Sequence, residues 1–331
     1  MKKNIVSLIA FTIILALAGC GDKNANSRSP EELLRMLDIK IEKDNDNADL
    51  YFQRGSIFLQ LGRVNEAIGD LNHAVTLDGD KKDYYKLLGD AYFANGNMGK
   101  SYEAFQNAQR LDPKGKDDEI PLKMGEIAFY SKDYDRAIDH LSVVTKKDPD
   151  NRTALFLKSF IYKEKGDTVS AITLLDKVCG LYPDYAPAFG ELGSLYASHH
   201  SKLAEDYFLT ALRLDPKDNN TRYGLAMYYQ ETNQFDKAEE QYKLMLDLDE
   251  GSADAWHNRG YIELFHFGDY ELAIDYLSHA IACDSNHLAA IVNRGYAYSL
   301  AGRKKDAKAD FERALRIDPS FQPAIDGMKS L

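Results

Sequence analysis

The stretch IVNRGYAYSLAGRKKDAKADFERALRIDP, Ile291 to Pro319, decides the fold. Gly295, Tyr298, Gly302, Ala307, Phe311, Ala314 and Pro319 follow one another at intervals of three, four, five, four, three and five residues. The first part reads as a helix in which Gly295 lets another helix come close and Tyr298 fills the space one turn on. Gly302 closes that helix, because glycine takes the left-handed cap conformation at little cost. Ala307, Phe311 and Ala314 form one face of a second helix. Pro319 has no amide hydrogen to continue it. The unit is a helix–turn–helix hairpin.

From Ala48 onward the hairpin recurs at about 34 residues. The small residue of the first helix returns as Gly55, Gly89, Gly125, Ser159, Gly193, Ala226, Gly260 and Gly295. That of the second returns as Ala67, Ser101, Ala137, Ala171, Ala204, Ala238, Ala273 and Ala307. Four residues later stands a large side chain: Leu71, Phe105, Leu141, Leu175, Phe208, Tyr242, Leu277 and Phe311. Pro113, Pro149, Pro183, Pro216 and Pro319 end second helices. This pattern resembles the tetratricopeptide repeat over nearly everything after Asn47. The resemblance implies an all-α, right-handed superhelical solenoid of eight repeats, at 48–81, 82–115, 118–151, 152–185, 186–218, 219–252, 253–287 and 288–321. Capping helices are expected at 29–46 and 322–331. Ser29, Pro30 and Glu32 have the form of a capping box, with Leu33, Leu34, Met36, Leu37, Ile39 and Ile41 as the apolar face. Phe321, Ile325 and Met328 give the last helix the apolar side that a solenoid end needs.

The repeats also depart from the pattern. Lys114-Gly115-Lys116-Asp117 adds two residues, and Pro121 replaces the aromatic usual in a first helix. Repeat five is one residue short around Ser198-His199-His200-Ser201, and repeat seven is one longer around Phe265-His266-Phe267-Gly268. Local irregularity is expected at each.

The first residues read as an address. Lys2 and Lys3 precede an apolar run from Ile5 to Ala18, too short to span a bilayer and of signal-peptide form. It ends in Leu17-Ala18-Gly19-Cys20, which resembles the lipobox of bacterial lipoproteins. That resemblance implies a signal peptide at 1–19, cleavage before Cys20 and acylation of Cys20, with residues 20–28 as a polar tether. Several acyl chains hold a protein on a membrane where one binds only marginally.

Composition narrows the function. The apolar fraction of 44% is that of a folded chain rather than a disordered one. A net charge of −11 opposes binding to phosphate backbones, so nucleic acid is not expected as a partner. The eight histidines are scattered, without the helical His–Glu–His spacing of a metal protease, and no metal or cofactor is expected. No glycine-rich phosphate loop or nucleophile elbow is present, and eight repeats with two caps use up the chain. It does not read as an enzyme. Cys179 and Cys283 lie three repeats apart, too far for a disulfide, and are expected as free, buried thiols.

What remains is a surface. In the family the resemblance points to, first helices line a concave groove. With packing positions removed, the first-helix face offers Phe52, Leu59, Phe93, Phe129, Tyr130, Phe156, Phe160, Tyr223, Met227, His257, Tyr261, Phe265 and Tyr296. Aromatic side chains dominate binding hot spots, so this row is the candidate partner groove. Tyr51, Tyr85, Tyr92, Phe189, Tyr196 and Trp256 are expected to fill the core instead. Some members of the family clamp the C-terminal carboxylate of chaperones with Lys and Asn. Here the corresponding face offers Lys86, Asp90 and Ser56 or Ser194, without the Lys-then-Asn pairing, so chaperone binding is not carried over. Asn258 and Asn293 are expected to hydrogen-bond between hairpins.

The reading is a scaffold, lipid-anchored in the bacterial cell envelope at the outer membrane facing the periplasm, that holds protein or peptide partners in its groove. It resembles the outer-membrane tetratricopeptide lipoproteins. A glycan or small-ligand binder using the aromatic row, and an architectural subunit buried in a larger complex, are the alternatives.

Overall fold

The computed structural model describes residues 29–331. Among them the regular structure is helical throughout, with no strand. The chain divides into two compact units. The first, from residue 29 to Ser131, holds α1 (Pro30–Lys43), α2 (Ala48–Gln60), α3 (Val64–Leu77), α4 (Lys82–Ala94), α5 (Met98–Arg110) and α6 (Glu119–Tyr130). The second, Lys132–Leu331, opens with α7 (Tyr134–Lys147), α8 (Arg152–Glu164), α9 (Thr168–Leu181), α10 (Ala186–Ala197), α11 (Leu203–Leu214) and α12 (Asn219–Glu231). It continues with α13 (Phe235–Leu248), α14 (Ala253–Ile262), α15 (Tyr270–Cys283), α16 (Leu288–Leu300), α17 (Lys304–Ile317) and α18 (Gln322–Ser330). Within each unit every helix packs against its neighbours in sequence, as in an α-solenoid of tetratricopeptide hairpins. The lipobox, the tether and Cys20 lie outside the described residues.

Packing explains the repeated positions. The second-helix small residues are wholly buried, and the large residues four places on are at most 2% exposed. At the opening hairpin, a Cβ on Gly295 would meet Phe311 at 2.6 Å, so only a residue without one lets α16 lie this close to α17. At the second-helix small position of repeat two stands Ser101 in place of alanine, and its buried Oγ donates to the Gly89 carbonyl at 2.8 Å. Gly302 takes φ +79° just past α16, the left-handed stop its position predicts. The turns after α6 and α12 use Lys132 and Asn233 there, both at φ +60°.

Two buried ion pairs recur at one register. Arg54 and Arg294 each precede a first-helix glycine, and Asp70 and Asp310 each precede the large second-helix residue. Both pairs are bidentate, at 2.7 and 2.8 Å and at 2.8 and 2.8 Å. In repeat seven that second-helix position is Tyr276. Arg259 accordingly donates to the Tyr276 hydroxyl at 2.6 Å and to Glu239 of the preceding hairpin at 2.6 Å.

The irregular places resolve as follows. Asp117, in the added loop, pairs with both Lys82 and Lys86 at 3.0 Å. His200 takes φ +51° in the shortened turn of repeat five. The extra residue of repeat seven is absorbed as a π-helical turn, Glu263–Phe267, that runs on from α14 and ends at Gly268 with φ +75°.

At the N-terminal end, Ser29 Oγ accepts from the Glu32 amide and the Glu32 carboxylate accepts from the Ser29 amide, the expected capping box. Leu34 and Leu37 pack with Leu50 and Ile57. Ile39, expected on the apolar face, is instead 53% exposed, because α1 buries only one narrow stripe on α2. At the other end Phe321 and Met328 join the last core cluster. A Cβ on Gly327 would lie 2.5 Å from Phe311. The two thiols, expected to be buried, differ in exposure. Cys179 is half-buried, with burial pushing its pKa up to about 12, but Cys283 is exposed at the end of α15.

Candidate protein-binding surface

Twelve of the thirteen candidate groove residues are partly exposed, and Phe265 is half exposed. Their surroundings differ. In the first unit Phe52 stacks on buried Tyr84 at 4.8 Å, and Leu59 packs into the α3–α4 core. Phe93 meets Tyr130 edge-on at 5.4 Å, and Tyr130 meets Phe129 at 5.4 Å. These three make one aromatic wall across α4 and α6.

In the second unit Phe156 meets Phe160 at 4.9 Å and Tyr185 at 5.2 Å. Tyr223 and Met227 are tied into the fold. The Tyr242 hydroxyl donates to Met227 Sδ at 3.1 Å, and Tyr223 Oη accepts from Asn258 Nδ2 at 3.4 Å. Tyr296 lies edge-on to Phe311 at 5.2 Å and donates to the Pro323 carbonyl at 2.8 Å, so it fastens α18. Tyr261 and Phe265 lie 4.8 Å apart, and His266 beside them stacks on Phe235 at 3.6 Å. Phe235 and His266 escape a reading by first-helix position, since one starts a second helix and the other exists only through the π-helical turn.

The residues expected in the core, Tyr51, Tyr85, Tyr92, Phe189, Tyr196 and Trp256, are all partly exposed. Tyr196 and Tyr207 stack face to face at 5.3 Å, and Trp256 stacks on His279 at 4.6 Å. Core and surface therefore share the aromatics more evenly than expected, because a ring at a hairpin junction shows one edge to solvent.

The polar groups on this face are largely engaged. Lys86 holds Asp117 at 3.0 Å and Glu119 at 2.5 Å. This leaves it no role as a free carboxylate clamp. His257 bridges hairpins as the neighbouring amides predict: Nδ1 donates to Asn258 Oδ1 at 3.1 Å and Nε2 accepts from Asn293 Nδ2 at 3.0 Å. Burial, with the nearby His287, pushes its pKa down to about 4. Lys123 lies 3.4 Å from both Asp90 and Glu126, two carboxylates buried on this same face. Burial pushes Asp90 up to about 6.

Among the described residues no group of three or more His, Cys, Asp or Glu could hold a metal, and no helix is long and apolar enough to cross a membrane. The surface offers aromatic area and a few fixed charges, which suits recognition of another molecule.

Known proteins agree with the repeat reading. The chain is 27% identical over 222 residues to chicken DnaJ homolog subfamily C member 3, covering 60% of this chain and 42% of that protein. It is 24% identical over 312 residues to the TPR repeat-containing protein MJ1428 of Methanocaldococcus jannaschii, covering 86% and 54%. The chain thus spans about half the length of these curated relatives or less. Among solved structures, a tetratricopeptide repeat protein from Parabacteroides merdae superposes with a TM-score of 0.54 at 18% identity, covering 75% of this chain and 97% of that one. The APC/C hetero-tetramer Cut9–Hcn1 gives 0.53 at 19%, covering 91% and 60%. Tetratricopeptide-repeat models match residues 52–116, 122–186, 194–253, 223–287 and 289–321. With most of its length so matched, the chain belongs to the tetratricopeptide repeat family.

Proposed function

We propose that this protein is a membrane-anchored scaffold of the bacterial cell envelope that binds protein or peptide segments on its first-helix face. One observation carries the binding half of the reading: the family's packing positions account for the core, yet a row of further aromatic residues keeps accessible area on that face. Phe93, Phe129 and Tyr130 in the first unit, and Phe160, Tyr261 and Phe265 in the second, are its best placed members. Large rigid rings on a prebuilt helical face lose little conformational entropy on binding, which is why such rings anchor interfaces.

The anchoring half rests on the Leu17-Ala18-Gly19-Cys20 motif and the apolar run before it. Acylation of Cys20 would confine the scaffold to the membrane plane, at the outer membrane facing the periplasm. It would thereby raise the local concentration of what the scaffold holds. The activity is recruitment rather than catalysis.

The test is site-specific photo-crosslinking in cells from Phe129, Phe160 and Tyr261, followed by identification of what is attached. Changing those three residues to Ala is expected to abolish capture of that partner by the purified protein while leaving helix content and melting in place. Capture unchanged in the triple variant means the face has been assigned wrongly.

A further inference from the structure

Asp90 sits on α4 one residue after Gly89, and Glu126 sits on α6 one residue after Gly125. That register, immediately after the small first-helix residue, is the one Phe160, Met227, Tyr261 and Tyr296 occupy in later repeats. The two carboxylates are 8% and 4% exposed, and Asp90 Oδ1 makes no hydrogen bond. The cation beside them is Lys123, whose Nζ stands 3.4 Å from Asp90 Oδ1 and 3.4 Å from Glu126 Oε2. One ammonium is shared by two buried carboxylates, both at long range. The next lysines along the face are committed elsewhere, Lys82 to Asp117 and Lys86 to Asp117 and Glu119.

The contrast with the rest of the fold is informative. Of the three other buried carboxylates among the described residues, Asp70 and Asp310 each meet a bidentate arginine at 2.7 to 2.8 Å. A buried pair is tolerable only when its charges and lone pairs are well matched. At Asp90 they are not, and the site is one positive charge short. Its walls are also of a particular kind. The Phe93 ring centre lies 5.9 Å from Lys123 Nζ, and Tyr130 packs against Phe93 at 5.4 Å, so the uncompensated charge adjoins aromatic faces. Anion and aromatic together suit a long basic side chain, whose stem packs on rings while its head pairs with carboxylate.

We propose that Asp90 and Glu126, walled by Phe93 and Tyr130, form a receptor for one arginine or lysine side chain of a bound protein segment. This rests on the scaffold reading and specifies its partner: a segment with a basic residue flanked by apolar ones.

The test uses the full chain and a fluorescein-labelled nonapeptide carrying two arginines among phenylalanine and serine, with a twin carrying glutamate for arginine. Fluorescence anisotropy is expected to show binding of the arginine peptide and none of the glutamate twin. Asp90→Asn and Glu126→Gln should each weaken it about tenfold or more. Asp83→Asn, an exposed change of equal charge, should leave it unaltered and so exclude general attraction to an acidic chain. Amide exchange on α4 and α6 reports whether each variant is folded. No binding of the arginine peptide, or equal binding by wild type and both variants, overturns the receptor. If crosslinks from Phe160 and Tyr261 still capture a partner that ignores Asp90→Asn, the receptor fails and the scaffold stands. If the aromatic variants leave capture untouched as well, both readings fail.

Discussion

His257 is held neutral between two amides, donating to Asn258 and accepting from Asn293. Unfolded, its imidazole takes a proton near pH 6.5; folded, burial and His287 delay this until about 4. A base whose folded pKa is depressed contributes stability that is complete above 6.5 and lost as pH falls towards 4. The gap is worth at most about 3 kcal/mol. Protection factors for amide exchange on α14 and α16 are therefore expected to fall between pH 7 and 4.5 in the wild type, and much less in His257→Gln. Parallel profiles would remove His257 from the account. Asp90 works with the opposite sign. Its folded pKa is raised from 3.8 to about 6, chiefly by desolvation, with the charge of Lys123 opposing and that of Glu119 adding to the rise. Keeping it ionised costs the fold in full above pH 6, and the cost vanishes as pH falls towards 4. Asp90→Asn should stabilise α4 and α6 by up to about 3 kcal/mol at pH 7 and by little at pH 4, as read by exchange protection. A variant less stable than wild type at pH 7 would mean that the Lys123 contact outweighs the desolvation.

At the scale of the helix, glycine means two different things in this chain, and the contrast is testable. Gly69 lies on the solvent side of α3 with nothing within 4 Å of a built Cβ, so Gly69→Ala should raise stability by about 0.5–1 kcal/mol. Gly327 on α18 faces Phe311 at 2.5 Å, so Gly327→Leu should lift that helix and speed exchange on α17. Thermal melts of both variants check the signs; equal effects would mean the α18 contact is not what covers Phe311. The hairpins were legible in the sequence because they need only a small residue facing a large one at fixed spacing, and Gly295 opposite Phe311 carries that directly. The Arg54–Asp70 and Arg294–Asp310 pairs were equally present in the register, yet charge alone does not say whether a residue faces a neighbouring helix or water. Exposure of the aromatic row was only half legible. Tyr223 and Tyr296 look free from their own helix and are fixed by Asn258 and by the Pro323 carbonyl from other elements. Cys283 failed for a similar reason: it occupies the last position of α15, where the packing face has already run out.

For the molecule as a whole, the proposed binding face and the proposed anchor would make separable contributions, and the proposed function depends on both. The face belongs to helices whose core positions lie in Ala48–Ile317, whereas the anchor motif ends at Cys20. Changing Cys20 to Ser should therefore leave affinity for an isolated partner peptide unchanged, because every residue proposed for the first-helix face lies at Phe52 or beyond. What should change is encounter. A scaffold held in the membrane plane meets membrane-bound partners at an effective concentration set by its tether, and a released one meets them at its bulk concentration. Several acyl chains make that attachment stable, while a single chain does not. Fractionation is expected to move Cys20→Ser from membrane to soluble fractions, and in-cell crosslinking from Tyr261 should fall about tenfold or more. Restoring attachment through an unrelated membrane anchor should restore the crosslinks, since only proximity was lost. A Cys20→Ser protein that stays with the membrane would reject acylation as the anchor. One that leaves the membrane yet crosslinks as before would show that recruitment does not depend on the membrane plane at all.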